Sequence, residues 1–229
     1  MLTQNSKVIK LWKIQDKVTK KHESCRKMLS KGKGIIFPKT KTSIEGKMSK
    51  LVTTFKTGKE HHLHSLSQSA DNENFLAADD SCINLFNLRR SNDKIFNMVD
   101  LERNKQSQEQ ITSARFNQTQ GTVFLYTTST GKINVCDFRE NSDFHKKPSI
   151  VFDSAQKTLG GKASVFNKWT NSVSDARFIE GNHQVVSRDY LNVKLWDLRA
   201  ASTAGVCSKP IYSAQVTDYM ERNLTSLMD

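Results

Sequence analysis

Four short segments share one alternation of apolar and polar positions: Ile9-Lys-Leu-Trp-Lys-Ile14, Ile83-Asn-Leu-Phe-Asn-Leu88, Ile133-Asn-Val-Cys-Asp-Phe138 and Val193-Lys-Leu-Trp-Asp-Leu198. In each, apolar residues fill the first, third, fourth and sixth positions around a polar second residue. The last three copies follow a turn-rich stretch, and that stretch follows a short apolar run: Phe75-Leu-Ala-Ala78, Val123-Phe-Leu-Tyr-Thr127 or Gln184-Val-Val-Ser187. Two short runs joined by a tight turn predict an antiparallel strand pair, here the third and fourth strands of a repeating unit. Earlier in each unit, His64-Ser-Leu66, Ser113-Ala-Arg-Phe116 and Asp175-Ala-Arg-Phe178 fit a second strand. Polar stretches at residues 70–74, 117–121 and 180–183 supply the turns. No segment joins a helical period to capping residues, so the expectation is an all-β repeat protein.

The period narrows the architecture. With Trp12, Phe86, Cys136 and Trp196 as anchors, the copies lie 74, 50 and 60 residues apart. A WD40 blade runs about 40–45 residues and carries a Trp-Asp pair near the end of a strand. The last two intervals fit that repeat, and the first needs an insertion of roughly 30 residues. The anchor aromatics are then core residues, each contributing roughly 1.5–3 kcal/mol when buried.

Charge marks out the insertion. Residues 7–59 hold 16 Lys or Arg against three acids, Asp16, Glu23 and Glu45, whereas the whole chain of 229 residues carries a net charge of +12. The basic character belongs to one insertion, Lys13 to Lys59, and the remainder is close to neutral. Such a run reads first as a solvated, self-repelling loop. The sharper reading is an arm that docks on an acidic partner or nucleic acid, aided by the apolar island Gly34-Ile-Ile-Phe-Pro38. Only Phe37 and Phe55 interleave with the lysines, which argues against nucleic acid.

No catalytic constellation, cofactor or metal is expected, and the chain does not read as an enzyme. Cys25, Cys82, Cys136 and Cys207 lie far apart without Cys-x-x-Cys spacing, as incidental thiols of a reducing compartment do. His62 and His64 would share one face of a strand, yet no third ligand accompanies them. Gly32-Lys-Gly34 and Gly160-Gly-Lys162 complete no phosphate-loop pattern. The N-terminus lacks the apolar region of a signal peptide and no apolar run spans a membrane, so cytosol or nucleus is the expected compartment. Arg188-Asp189-Tyr190 occupies a turn analogous to Asp79-Asp80, and a local surface ion pair is expected there, worth about 0–1 kcal/mol.

Longer strings carry a more specific likeness. Asn5-Ser-Lys-Val-Ile-Lys-Leu-Trp-Lys13, Phe75-Leu-Ala-Ala-Asp-Asp-Ser-Cys-Ile-Asn-Leu-Phe-Asn-Leu88, Ile95-Phe-Asn-Met-Val-Asp-Leu101, Ser187-Arg-Asp-Tyr-Leu-Asn-Val-Lys-Leu-Trp-Asp-Leu198 and Val216-Thr-Asp-Tyr-Met-Glu-Arg-Asn-Leu-Thr-Ser-Leu227 occur in that order. Together they resemble the 55-kilodalton regulatory B subunits of protein phosphatase 2A over residues 61–229, with a looser match at residues 14–60. The resemblance implies a non-enzymatic adaptor, a seven-bladed propeller that binds the phosphatase scaffold and presents phosphoproteins to the catalytic subunit. It also implies a hairpin arm at the basic insertion, with Ile35, Ile36 and Phe37 as its apolar scaffold contacts. Asp80 maps onto an acidic position of the family's substrate groove, suited to substrates with basic stretches. Asp79 and Asp80 together are the candidate substrate-recognition residues, and both also read as turn formers, one acid for each role.

Departures from the family accompany the likeness. Its acidic loop is replaced by Ser154-Ala-Gln-Lys-Thr-Leu-Gly-Gly-Lys162, Lys59-Glu-His-His62 stands where the family has His-x-Tyr-His, and the segment after Asp100 is about two residues shorter. The expected organisation is the end of a blade over 1–13, the basic arm over 14–60, and three consecutive blades plus the start of another over 61–229. That amounts to about three to four blades of a propeller truncated at both ends, with open edges that favour aggregation. The alternative function is a WD40 interaction module with another client, RNA-associated through the basic arm.

Overall fold

The structure, a computed structural model, describes residues 1–5, 8–22, 40–57, 62–89, 96–103, 109–139, 148–154, 171–179, 183–200, 206–207 and 210–215. The chain divides into two compact units, Met1–Thr3 with Ile9–Phe55, and Gln4–Val8 with Lys56–Asp229.

Strands β1 (Leu2–Asn5), β2 (Val8–His22) and β3 (Thr40–Lys56) form one three-stranded sheet in that order. Much of the basic segment is therefore strand, where a solvated loop was the first expectation. Its physical cause is the recurrence of β-branched residues along both segments, Val8, Ile9, Ile14, Val18 and Thr19 in the first and Thr40, Thr42, Ile44, Val52, Thr53 and Thr54 in the second, which suit a pleated backbone whatever its charge. The boundary expected after Lys13 falls inside β2. Trp12, expected as a core anchor, is only partly buried, and its indole N–H donates to Thr3 Oγ1 at 2.9 Å on the neighbouring strand.

Three further sheets follow in chain order. The first is a meander of β4 (Ser65–Gln68), β5 (Asn74–Ala78), β6 (Cys82–Asn87) and β7 (Phe96–Asp100). The second runs β8 (Ile111–Phe116), β9 (Val123–Thr128), β10 (Lys132–Asp137) and β11 (Ile150–Asp153), and β15 (Val206–Cys207) joins it parallel to β11. In the third, β12 (Asp175–Phe178), β13 (Gln184–Arg188) and β14 (Asn192–Asp197) are completed by β16 (Tyr212–Gln215). These are successive blades of a partial, WD40-type β-propeller, an all-β fold. The anchor-bearing strands β6, β10 and β14 are third in their sheets, one place earlier than expected from the sequence.

Register repeats from blade to blade. Phe75 pairs with Phe86, Phe124 with Cys136 and Val185 with Trp196. Two cores lie between consecutive sheets. One gathers Leu76, Ile83, Val99, Phe116, Phe124 and Cys136, the other Leu125, Ile133, Phe152, Val185 and Trp196. Phe152 and Trp196 meet across the second seam with ring centroids 5.2 Å apart. Buried Trp196 donates its indole N–H to Ser187 Oγ at 2.8 Å, so no polar atom of the anchor is stranded.

Polar stitches bind the inner strands. Ser65, Ser67 and Ser69 point one way from β4 and its exit, where Ser65 Oγ donates to Ala114 O at 2.9 Å, Ser67 Oγ accepts from Phe116 N at 2.9 Å, and Ser69 Oγ donates to Gly121 O at 2.8 Å. At the next seam Ser113 Oγ donates to Asp175 at 2.8 Å. Burial pushes the Asp175 carboxyl up, but Ser113 and the cations of Arg115 and Arg177 outweigh it and hold it below the usual carboxylate range.

Candidate functional site

The β5–β6 turn separates its two acids. Asp79 is 1% exposed, and its Oδ1 accepts the backbone N–H groups of Ser81 at 2.9 Å and of Cys82. Its own N–H donates to Cys82 O at 2.9 Å, so this carboxylate shapes the turn and meets no solvent partner. Asp80 is exposed. Its backbone carbonyl accepts Ile111 N–H at 2.8 Å, and its carboxylate lies 3.9 Å from His64 Nε2. Of the two acids singled out for substrate recognition, Asp80 alone is presented to solvent.

Glu102, in the single turn Leu101–Arg103 after β7, accepts a hydrogen bond from Ser81 Oγ at 2.9 Å. Neither Glu102 nor His64 was singled out as a neighbour of Asp80. The pairing of Ser65 with Ala78 sets residue 64 beside the Asp79-Asp80 turn, so the signal for His64 lies in strand register. His62 and His64 precede β4 and are not in strand, which removes the shared-face geometry considered for a metal.

The equivalent turns differ. Asp189 repeats the Asp79 arrangement, its Oδ1 accepting from Leu191 N at 3.0 Å and from Asn192 N. Its partner is not the adjacent Arg188 but Lys194, at 2.8 Å, with side chains 2% and 5% exposed respectively. The expected surface pair is thus a buried one, because Lys194 follows the inward alternation of β14. In the second blade Thr128 holds the equivalent position in a turn one residue longer, closed by Gly131 at φ 94°.

One further local signal recurs. Asn87, Asp137 and Asp197 each accept the backbone N–H of the Arg two residues on, at 2.9, 3.0 and 2.9 Å. Arg139 and Arg199 also pair with their aspartates at 2.8 and 2.9 Å. These arginines cap the blade strands, and hold Asp137 and Asp197 below the usual carboxylate range.

The hairpin of β2 and β3 is two-sided. Thr19 and Ser43 side chains meet at 3.1 Å and Lys21 and Glu45 at 3.4 Å, so these odd-numbered positions share a polar face with Lys13 and Lys17. Ile14, Val18 and Ile44 therefore lie on the other face, at 48%, 50% and 68% exposure, together with Asp16 and Lys20. Further along β3, Met48 and Val52 are exposed as well. Ile35, Ile36 and Phe37, the expected scaffold contacts, lie outside the described residues, as do the two glycine-rich stretches.

Buried Cys136 takes the anchor place of an aromatic, and burial pushes its thiol up to about 12, which leaves it unreactive at neutral pH.

No protein-family model matches the chain. Among curated proteins, it is 32% identical over 241 residues to the beta isoform of the serine/threonine-protein phosphatase 2A 55 kDa regulatory B subunit of Carassius auratus, covering 100% of this chain and 51% of the relative. The gamma isoform of Mus musculus is 32% identical over 242 residues with the same coverage. The protein phosphatase PP2A 55 kDa regulatory subunit of Drosophila melanogaster is 30% identical over 240 residues, covering 100% of this chain and 46% of the relative. The chain spans about half the length of the curated relatives it matches. With its WD40 blades, this chain is homologous over its whole length to about half of the 55 kDa regulatory B subunits of protein phosphatase 2A.

Proposed function

We propose that the chain serves as a regulatory subunit of a protein phosphatase 2A holoenzyme, binding the scaffold subunit and presenting phosphoproteins to the catalytic subunit. Similarity that runs the whole of this chain, and 51% of each 55 kDa regulatory subunit, carries this reading. On it, the hairpin supplies the scaffold contact. Ile14, Val18 and Ile44 are exposed apolar side chains on one face that suit burial against a partner, and the surrounding lysines on both faces favour an acidic one. Ile35, Ile36 and Phe37, which fall between β2 and β3 in the sequence, extend that contact on the same reading.

Asp80 is the substrate-facing acid. An exposed carboxylate on a rigid turn attracts the basic stretch beside a phosphosite and adds encounter rate more than affinity. No step of catalysis is assigned to this chain, and the reading places it in cytosol or nucleus. Affinity capture of the native gene product, followed by mass spectrometry, tests the proposal. Recovery of scaffold and catalytic subunits is the expected result, and their absence from a well-expressed product contradicts it.

The lysine-rich face of the hairpin favours one second reading, a WD40 module that takes an RNA-associated client. Salt separates the two. Binding through the apolar face survives moderate salt, whereas nucleic-acid binding falls steeply as salt rises.

A further inference from the structure

We propose that His64 makes the Asp80 recognition site sensitive to pH, a device that rests on the reading of Asp80 as the substrate-facing acid. His64 Nε2 lies 3.9 Å from Asp80 Oδ1, with side chains 26% and 51% exposed. Both backbones are pinned. His64 N–H donates to Ala78 O at 3.1 Å, and Asp80 O accepts from Ile111 N at 2.8 Å. The two side chains can therefore approach or part by rotation alone, without cost to the sheet.

Imidazole is the side chain whose ordinary charge change falls between about pH 5 and 8. When protonated, His64 is a cation held against the very carboxylate that a basic substrate segment needs. It then competes with the incoming Lys or Arg and cancels part of the attractive field. When neutral, it releases Asp80 to the substrate. Binding of a basic segment therefore strengthens as pH rises through the histidine range.

The other groups brought to this end of the blade do not reproduce the effect. The β5–β6 turn also contributes Asp79, whose carboxylate is consumed by Ser81 and Cys82. The turn after β7 adds Glu102, bonded to Ser81 Oγ, and the approach to β8 adds Glu109, paired with Lys132 at 3.1 Å. Each of these groups is engaged by a partner other than His64. Among the described residues, His62 is the other imidazole of this segment, two residues before His64.

The test measures binding of an arginine-rich peptide that lacks histidine and carboxylates, by fluorescence anisotropy between about pH 5.5 and 8. An exposed pair of this kind supports a change of about two- to fivefold in affinity, tighter at high pH. His64→Asn should flatten the profile at its high-pH level, while His62→Asn should leave the slope in place. A slope that persists undiminished in His64→Asn overturns the proposal. Asp80→Asn separates the two layers of the argument. If it leaves affinity unchanged at every pH, the reading of Asp80 itself fails, and if it weakens binding while His64→Asn keeps the slope, only the histidine device fails.

Discussion

Asp189 and Lys194 form a buried ion pair, Nζ to Oδ2 2.8 Å, at the turn between β13 and β14. The ammonium also donates to Ser154 O and Ser154 Oγ, each at 2.8 Å, so all three of its protons have acceptors. Ser154 follows β11 of the preceding blade, and the cluster thus ties two blades together at the same end as the turns.

Removing one partner leaves the other charge buried without its counter-ion. Lys194→Met is expected to destabilise the fold by about 3–5 kcal/mol in urea denaturation, with Asp189→Asn/Lys194→Met recovering part of the loss. A single substitution as stable as the parent chain would show that water reaches the cluster.

The two acids of the first turn should part company on substitution. Asp79→Ala strands two backbone donors and is expected to cost about 1–3 kcal/mol, whereas Asp80→Ala stays within about 0.5 kcal/mol. Peptide binding should show the opposite order for folded protein, with Asp80→Ala the weaker binder. Denaturation curves paired with anisotropy titrations check both halves.

On the hairpin, Ile14→Ser and Ile44→Ser alter exposed positions and should leave stability within about 0.5 kcal/mol. Scaffold affinity should nonetheless fall by about tenfold or more if these side chains anchor the contact. Lys17→Gln and Lys21→Gln should instead slow association and reduce its salt dependence, which stopped-flow mixing with purified scaffold would resolve.

Alkaline pH probes the seam between the first two blades. Burial raises the Cys136 thiol to about 12 and raises the Tyr126 phenol too. In the unfolded chain the thiol ionises first, so its contribution is complete below its ordinary value and is lost as pH climbs towards the folded value. Stability is expected to fall by at most about 1.4 kcal/mol per pH unit for this one proton. Cys136→Ala should flatten that slope at the start of the alkaline range, before the phenol titrates.

The strands that pair through large apolar residues were legible in the sequence, because alternation and turn chemistry coincide there. β5, β9 and β13 fall within a residue of their expected positions. Fourth strands were less visible. β7 buries only Met98 and Val99 fully, and its polar residues give little alternation to read. Lys194 was illegible for a different reason: a lysine in an alternating strand reads as a solvent-facing position, and only the tertiary fold brings Ser154 to its ammonium. A division of roles between Asp79 and Asp80 was expected from turn chemistry, and the backbone geometry adds that Asp79 is the buried acid. Charge density disguised the hairpin, since sixteen basic residues over 7–59 outweigh a β-branched pattern in any composition-based reading.

The most direct measurement is calorimetric titration of the chain with purified phosphatase 2A scaffold subunit, at low salt and again at several times that concentration. The account predicts saturable one-to-one binding that persists at the higher salt and is lost in Ile14→Ser/Ile44→Ser. A folded chain that gives no heat with the scaffold, or whose binding vanishes with salt and ignores the apolar face, would contradict it.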